Sequence, residues 1–93
     1  MGKYSIVLSP RARKELQVHY RSGNQQVIKK IEKIFLELSE TPFSGNGNPE
    51  ALKYQLSGYW SRRLDKRDRL IYQVVEDKIL VLIVSAIGHY EEY

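Results

Sequence analysis

The sequence predicts an α+β domain: two N-terminal helices packed on a small, mostly antiparallel β-sheet, in the order β-α-α-β-β-β. Two observations predict it. Between residues 27 and 38 the apolar side chains Val27, Ile28, Ile31, Ile34, Phe35 and Leu38 follow a 3.6-residue period, opposed by Lys29, Lys30, Glu32, Lys33 and Glu37. Downstream, residues 59–87 hold three β-branched and aromatic runs separated by short polar turns. A chain of 93 residues has room for one core and not for a second, so residues 1–93 read as one domain.

Tyr4 to Leu8 alternates and reads as a short strand. Ser9-Pro10 then starts a helix, with Ser as N-cap and Pro at the first helical position, where a missing N–H costs nothing. The apolar side of this helix is thin, only Ala12, Leu16 and Tyr20, which predicts a helix at the surface. Ser22-Gly23-Asn24 breaks the chain, and Asn24 is placed to cap the strongly amphipathic second helix. Thr41-Pro42 ends that helix, because Pro disfavours helical geometry in the residue before it. Residues 43–58 lack periodicity and read as one long loop, a feature that in small domains is functional or disordered. Strands are predicted over Tyr59–Leu64 and Arg69–Val75, joined by Asp65-Lys66-Arg67-Asp68, and over Ile79–Ile87 after Glu76-Asp77-Lys78. The last run is almost wholly apolar, which predicts an interior strand covered on both faces.

Composition excludes several classes. There is no cysteine, so neither a disulfide framework nor a thiolate metal site is available, in keeping with a reducing cytoplasm. Ile6-Val7-Leu8 is too short for a signal-peptide core or a membrane span. Ile6 also stands where a myristoylation motif needs Ser or Thr. The two histidines, His19 and His89, are far apart in sequence, and no cluster has metal-ligand spacing. Neither a metal nor another cofactor is expected.

Charge is informative through its distribution. The net charge is +4, but residues 50–69 carry six basic groups against three acids, whereas residues 70–93 carry one Lys against four acids. A local positive field suits a polyanion; on charge alone a solvated hairpin laced with salt bridges accounts for it more simply. Within this region a Gly/Asn/Pro loop, Gly45-Asn46-Gly47-Asn48-Pro49, delivers one carboxylate, Glu50, into a run of Arg, Lys and aromatic residues. Cations for phosphate, ring faces for bases, and a base and an acid on either side of a scissile bond are what RNA cleavage requires. Taken alone, Glu50 reads as a surface carboxylate capping a turn, and His89 as a strand-end histidine bonded to backbone. His19 sits mid-helix and reads as structural.

The segment TPFSGNGNPEALKYQLSGYWSRRLDKRDRLIYQV, followed after a hydrophobic strand by His89-Tyr90, strongly resembles the YoeB toxins of the RelE superfamily. The resemblance spans residues from about 29 to 90, and the helical N-terminal third fits the same layout. The combination of PxxGxGxPE, LSGxWSRR, RLxY and HY is far more specific than any one piece. It implies a ribosome-dependent endoribonuclease that cuts mRNA in the ribosomal A site and is silenced by a cognate antitoxin of the YefM/Phd-like kind. It further implies contact with operator DNA only through that antitoxin, a possible homodimer, and no membrane.

On the matching positions, the resemblance implies that Glu50 is the base for the ribose 2′-hydroxyl and His89 the acid for the departing 5′-oxygen. A histidine titrates near neutrality, which suits that role. Arg69 would sit against the scissile phosphate, where a guanidinium stays charged as negative charge develops. Lys53 and Arg63 would orient RNA or ribosome, and Tyr90 would stack on a base. Tyr59 and Trp60 read as anchors of the core and hairpin. Arg62 alternates with Arg63 and should face the opposite way, in a structural or ribosome-facing role. Attack by a 2′-hydroxyl needs no metal, since the nucleophile is already held beside the phosphate.

Two departures from the family pattern stand out. The chain continues past His89-Tyr90 with Glu91, Glu92 and Tyr93; two carboxylates near His89 would favour its protonated form and repel RNA. Asp68 also stands where a histidine is often found. Two other readings remain open on sequence: a non-catalytic corepressor or ribosome-binding inhibitor, and a structural RNA-binding domain.

Overall fold

Ser9 and Pro10 start the first helix as their chemistry requires. In the computed structural model, which describes residues 3–45, 47 and 49–88, the Ser9 hydroxyl oxygen accepts from the Ala12 amide at 3.0 Å and donates to the Val84 carbonyl at 2.8 Å. The same side chain thus caps the helix and ties it to the sheet. The elements are β1 (Ser5–Leu8), α1 (Pro10–Arg21), α2 (Gln25–Glu40), β2 (Glu50–Ala51), β3 (Tyr59–Arg63), β4 (Arg69–Val75) and β5 (Leu80–Ser85), with 3₁₀ turns at Tyr54–Leu56 and Glu76–Lys78. Asn24 caps α2 by accepting from the Val27 amide, and the helix stops at Thr41, before Pro42.

The five strands run in the order β1-β5-β4-β3-β2. Pairings are antiparallel except β1 with β5, which are parallel. Both helices cover one face. Ala12 and Leu16 from α1, and Val27, Ile31, Ile34 and Leu38 from α2, close over Leu70, Tyr72, Val81 and Ile83. The α+β expectation therefore holds.

Four details differ from the sequence reading. The loop over 43–58 contains β2, two residues long and too short to show a period, and a 3₁₀ turn. The last strand begins at Leu80, because Ile79 takes a left-handed conformation at φ 52°, and it ends at Ser85. It lies between β1 and β4 as an interior strand should, yet its burial alternates: Val81, Ile83 and Ser85 are buried, while Leu80, Leu82 and Val84 are only partly so. In α1 the buried stripe runs Ala12, Leu16 and His19, with Tyr20 exposed.

Candidate active site

Strand pairing decides which side chains share a face. Arg62 lies across from Leu70 and Trp60 across from Tyr72, so these point toward the helices. Their neighbours Tyr59, Ser61 and Arg63 point to the other face, with Arg69, Ile71 and Gln73 of β4. Glu50 lies across from Ser61 and joins that face. Arg62 and Arg63 therefore do face opposite ways: Arg62 has no exposure and Arg63 is exposed.

On the face away from the helices, Glu50 Oε1 lies 3.9 Å from Arg69 Nη1. That is the outer reach of an ion pair and longer than a hydrogen bond. Arg63 sits directly across the ladder from Arg69, on the same face as Glu50. Arg69 is mostly sheltered, its side chain 13% exposed, while that of Glu50 is 51% exposed. Lys53 is exposed and shares with Glu50, Ala51, Leu52 and Tyr54 the lining of a cavity of ≈ 240 Å³. A larger cavity, ≈ 710 Å³, opens elsewhere, by His19, Asp65, Arg67 and Asp68; the chemistry-bearing face is not its wall. Among the described residues, no group of three or more His, Asp or Glu could hold a metal ion.

The loop that carries Glu50 is held from below. Arg62 Nη1 donates to Glu37 Oε1 at 2.7 Å, Nη2 donates to the Pro42 and Ser44 carbonyls at 3.2 and 2.8 Å, and Nε donates to the Tyr72 hydroxyl at 3.1 Å. Tyr72 in turn donates to the Pro42 carbonyl at 2.8 Å. Burial pushes its phenol up from the ordinary tyrosine range, against the opposing pull of Arg62, so it stays a proton donor. The glycines complete the fit. A Cβ on Gly45 would run into the Glu37 carboxylate and Arg62, and one on Gly47 would press on the Arg63 carbonyl. Gly47 also accepts from the Arg63 amide at 2.7 Å, stitching the loop to β3.

A second scaffold holds the segment that leads to His89. Glu15 Oε1 accepts from the Ala86 and Ile87 amides at 2.7 and 3.0 Å. His19 Nε2 lies 2.7 Å from the Ala86 carbonyl and 3.9 Å from Asp68 Oδ2. Asp68 Oδ1 accepts from the Gly88 amide at 3.0 Å, and the Arg69 amide donates to the Gly88 carbonyl at 3.1 Å. Gly88 is thus anchored to the residue that carries the Arg69 guanidinium. His89 and Tyr90 themselves, like Glu91–Tyr93, lie outside the described residues.

The structure therefore brings together Glu50, Arg63 and Arg69 on one face, with Lys53 close by in sequence and cavity. Sequence reasoning missed the supporting residues Glu15 and Asp68, and gave His19 no partner. A signal was present: the helical spacing that relates Ala12 to Leu16 also sets Glu15 and His19 on that buried side.

The description "YoeB-like toxin of bacterial type II toxin-antitoxin system" matches residues 11–90. The chain belongs to this family. A relative from Streptomyces coelicolor, Toxin YoeB, is 42% identical over 73 residues, covering 78% of this chain and 84% of its own. Among solved structures, a YoeB dimer from Staphylococcus aureus superposes with a TM-score of 0.79 at 30% identity, covering 95% of this chain and 99% of that one. A heterotetrameric YoeB-YefM toxin-antitoxin complex from the same organism gives 0.76 at 31% identity, covering 94% and 98%. The YoeB-like match runs past Gly88 to position 90 and so takes in the His89-Tyr90 pair.

Proposed function

We propose that this YoeB-like toxin is an endoribonuclease that cleaves mRNA in the ribosomal A site and so stops translation. The observation that carries the reading is the Glu50 carboxylate 3.9 Å from the Arg69 guanidinium, on a face where Arg63 adds a further cation. A binding module needs cations for RNA; it does not need a carboxylate among them.

In the proposed reaction Glu50 removes the proton from a ribose 2′-hydroxyl. The 2′-oxygen attacks the adjacent phosphorus, and the bond from phosphorus to the 5′-oxygen breaks. His89 gives that oxygen a proton, leaving a 2′,3′-cyclic phosphate and a 5′-hydroxyl. Arg69 offsets the charge that builds on the non-bridging oxygens. Lys53 and Arg63 hold RNA or ribosomal RNA, and Tyr90 stacks on a base. DNA lacks the nucleophile and is inert. The roles of His89 and Tyr90 rest on the family pattern at those positions.

The solved Staphylococcus aureus relatives support the partners of the proposal: a YefM/Phd-like antitoxin that silences the toxin, and self-association as a dimer. Operator DNA is contacted through the antitoxin only, and the site of action is the cytoplasm, where ribosomes are. Among the described residues no helix is long and apolar enough to cross a membrane. Primer extension on mRNA from a translating system tests the reading. Discrete new 5′ ends should appear within the A-site codon when the protein is added; intact mRNA under stalled translation would overturn it.

A further inference from the structure

The turn after Glu50 carries a side chain that the fold does not explain. Tyr54 has φ 59°, in the left-handed region that a bulky L-residue rarely adopts. Its turn is closed by backbone alone: the Leu56 amide donates to the Lys53 carbonyl at 3.1 Å and the Ser57 amide to the Tyr54 carbonyl at 3.0 Å. Gly would make the same turn with less strain. Burial does not offset the strain, because Tyr54 is 87% exposed, the most of any large hydrophobic side chain among the described residues. The ring is held out into solvent on the cavity lined by Glu50 and Lys53.

We propose that Tyr54 is a stacking platform for the base beside the scissile phosphate, and through that contact a determinant of substrate preference. The proposal rests on the nuclease reading above. An exposed ring offers a face that any base can use, and the neighbouring Lys53 ammonium attracts the backbone that carries the base. Purines present the larger ring system and stack more strongly, so the contact biases cleavage toward a purine at that position.

The test compares wild type with Tyr54→Gly and Tyr54→Phe on ribosome-bound mRNAs that differ only in the base at that position. Tyr54→Gly relieves the backbone strain, so its melting temperature should equal or exceed that of wild type. Its kcat/KM should nevertheless fall by roughly 5- to 150-fold, the worth of one base–aromatic stack. The preference for purine over pyrimidine should shrink with it, and Tyr54→Phe should retain both rate and preference. An active wild type matched by Tyr54→Gly overturns the stacking role. So does a slower Tyr54→Gly that also melts earlier with its base preference intact, since that is a structural defect. A wild type that cleaves nothing on ribosomes overturns the nuclease reading itself, and the role of Tyr54 falls with it.

Discussion

The Arg62 guanidinium meets the Glu37 carboxylate at 2.7 Å from a position with no solvent exposure, at the root of the loop that leads to Glu50. A buried cation is tolerable only when its donors are satisfied, and here loop carbonyls and Tyr72 complete the set. Arg62→Met should therefore destabilise the fold by about 3–5 kcal/mol, because it strands a half-buried carboxylate and several carbonyls. Arg62→Lys should do little better, since an ammonium cannot reproduce the planar fork. Urea unfolding of both variants checks this.

The loss of Glu15 should be local. Glu15→Gln replaces charge-assisted hydrogen bonds to the Ala86 and Ile87 amides with weaker ones. Hydrogen exchange at those two amides should quicken while exchange in the middle of α2 is unchanged. Uniform acceleration across the chain would show that the contact supports the whole fold and not the segment leading to His89.

Asp65 supplies a pH dependence with a definite sign. Partial burial opposes its ionisation, but the Asp68 and Arg67 amides, the Arg67 charge and His19 outweigh that and hold its carboxyl below the usual range. A depressed folded-state pKa stabilises above the unfolded value, about 3.9 for Asp, and the benefit is lost as pH falls through the folded one. Stability should thus fall on acidification below about pH 4, and Asp65→Asn should flatten that slope. Thermal melts of both proteins between neutral pH and strong acid measure it.

What the sequence made legible follows from the strength of each local signal. The period of Val27 to Leu38, the Ser9-Pro10 start and the Arg69–Val75 strand are dense signals, and the structure matches them. Strand β2 was illegible because Glu50 and Ala51 alone show no alternation; only pairing with Ser61 and Trp60 makes them a strand. Ile79 was absorbed into the last strand because nothing in an isoleucine announces a left-handed backbone. For the site, the opposite orientations of Arg62 and Arg63 followed from strand geometry. The clamp made by Arg62 did not, because its partners lie 10 to 25 residues away along the chain. The contacts of Glu15 and His19 with residues 86 and 87 span still longer separations, 67 to 72 residues.

Glu50→Gln should leave the fold intact, because the side chain is half exposed and such substitutions cost within about 0.5 kcal/mol. Cleavage should drop by ~10²–10⁴-fold, the usual worth of a general base. The same loss is expected for His89→Gln. Single-turnover rates within a few-fold of wild type would remove either residue from the proposed mechanism.

The most direct test is the initial rate of cleavage of one mRNA with and without programmed ribosomes. Among the described residues, the open face sets the Glu50 carboxylate beside Arg63 and Arg69, few groups with which to hold RNA in line for attack; in the proposed mechanism the ribosomal A site does so. Orientation of this kind is worth ~7–11 kcal/mol of barrier, so ribosome-bound mRNA should be cut faster by several orders of magnitude. Charge reversal at Lys53 or Arg63 should weaken ribosome binding, and added salt should weaken it further. Equal rates on free and ribosome-bound mRNA would contradict the account and make this chain a free-standing ribonuclease.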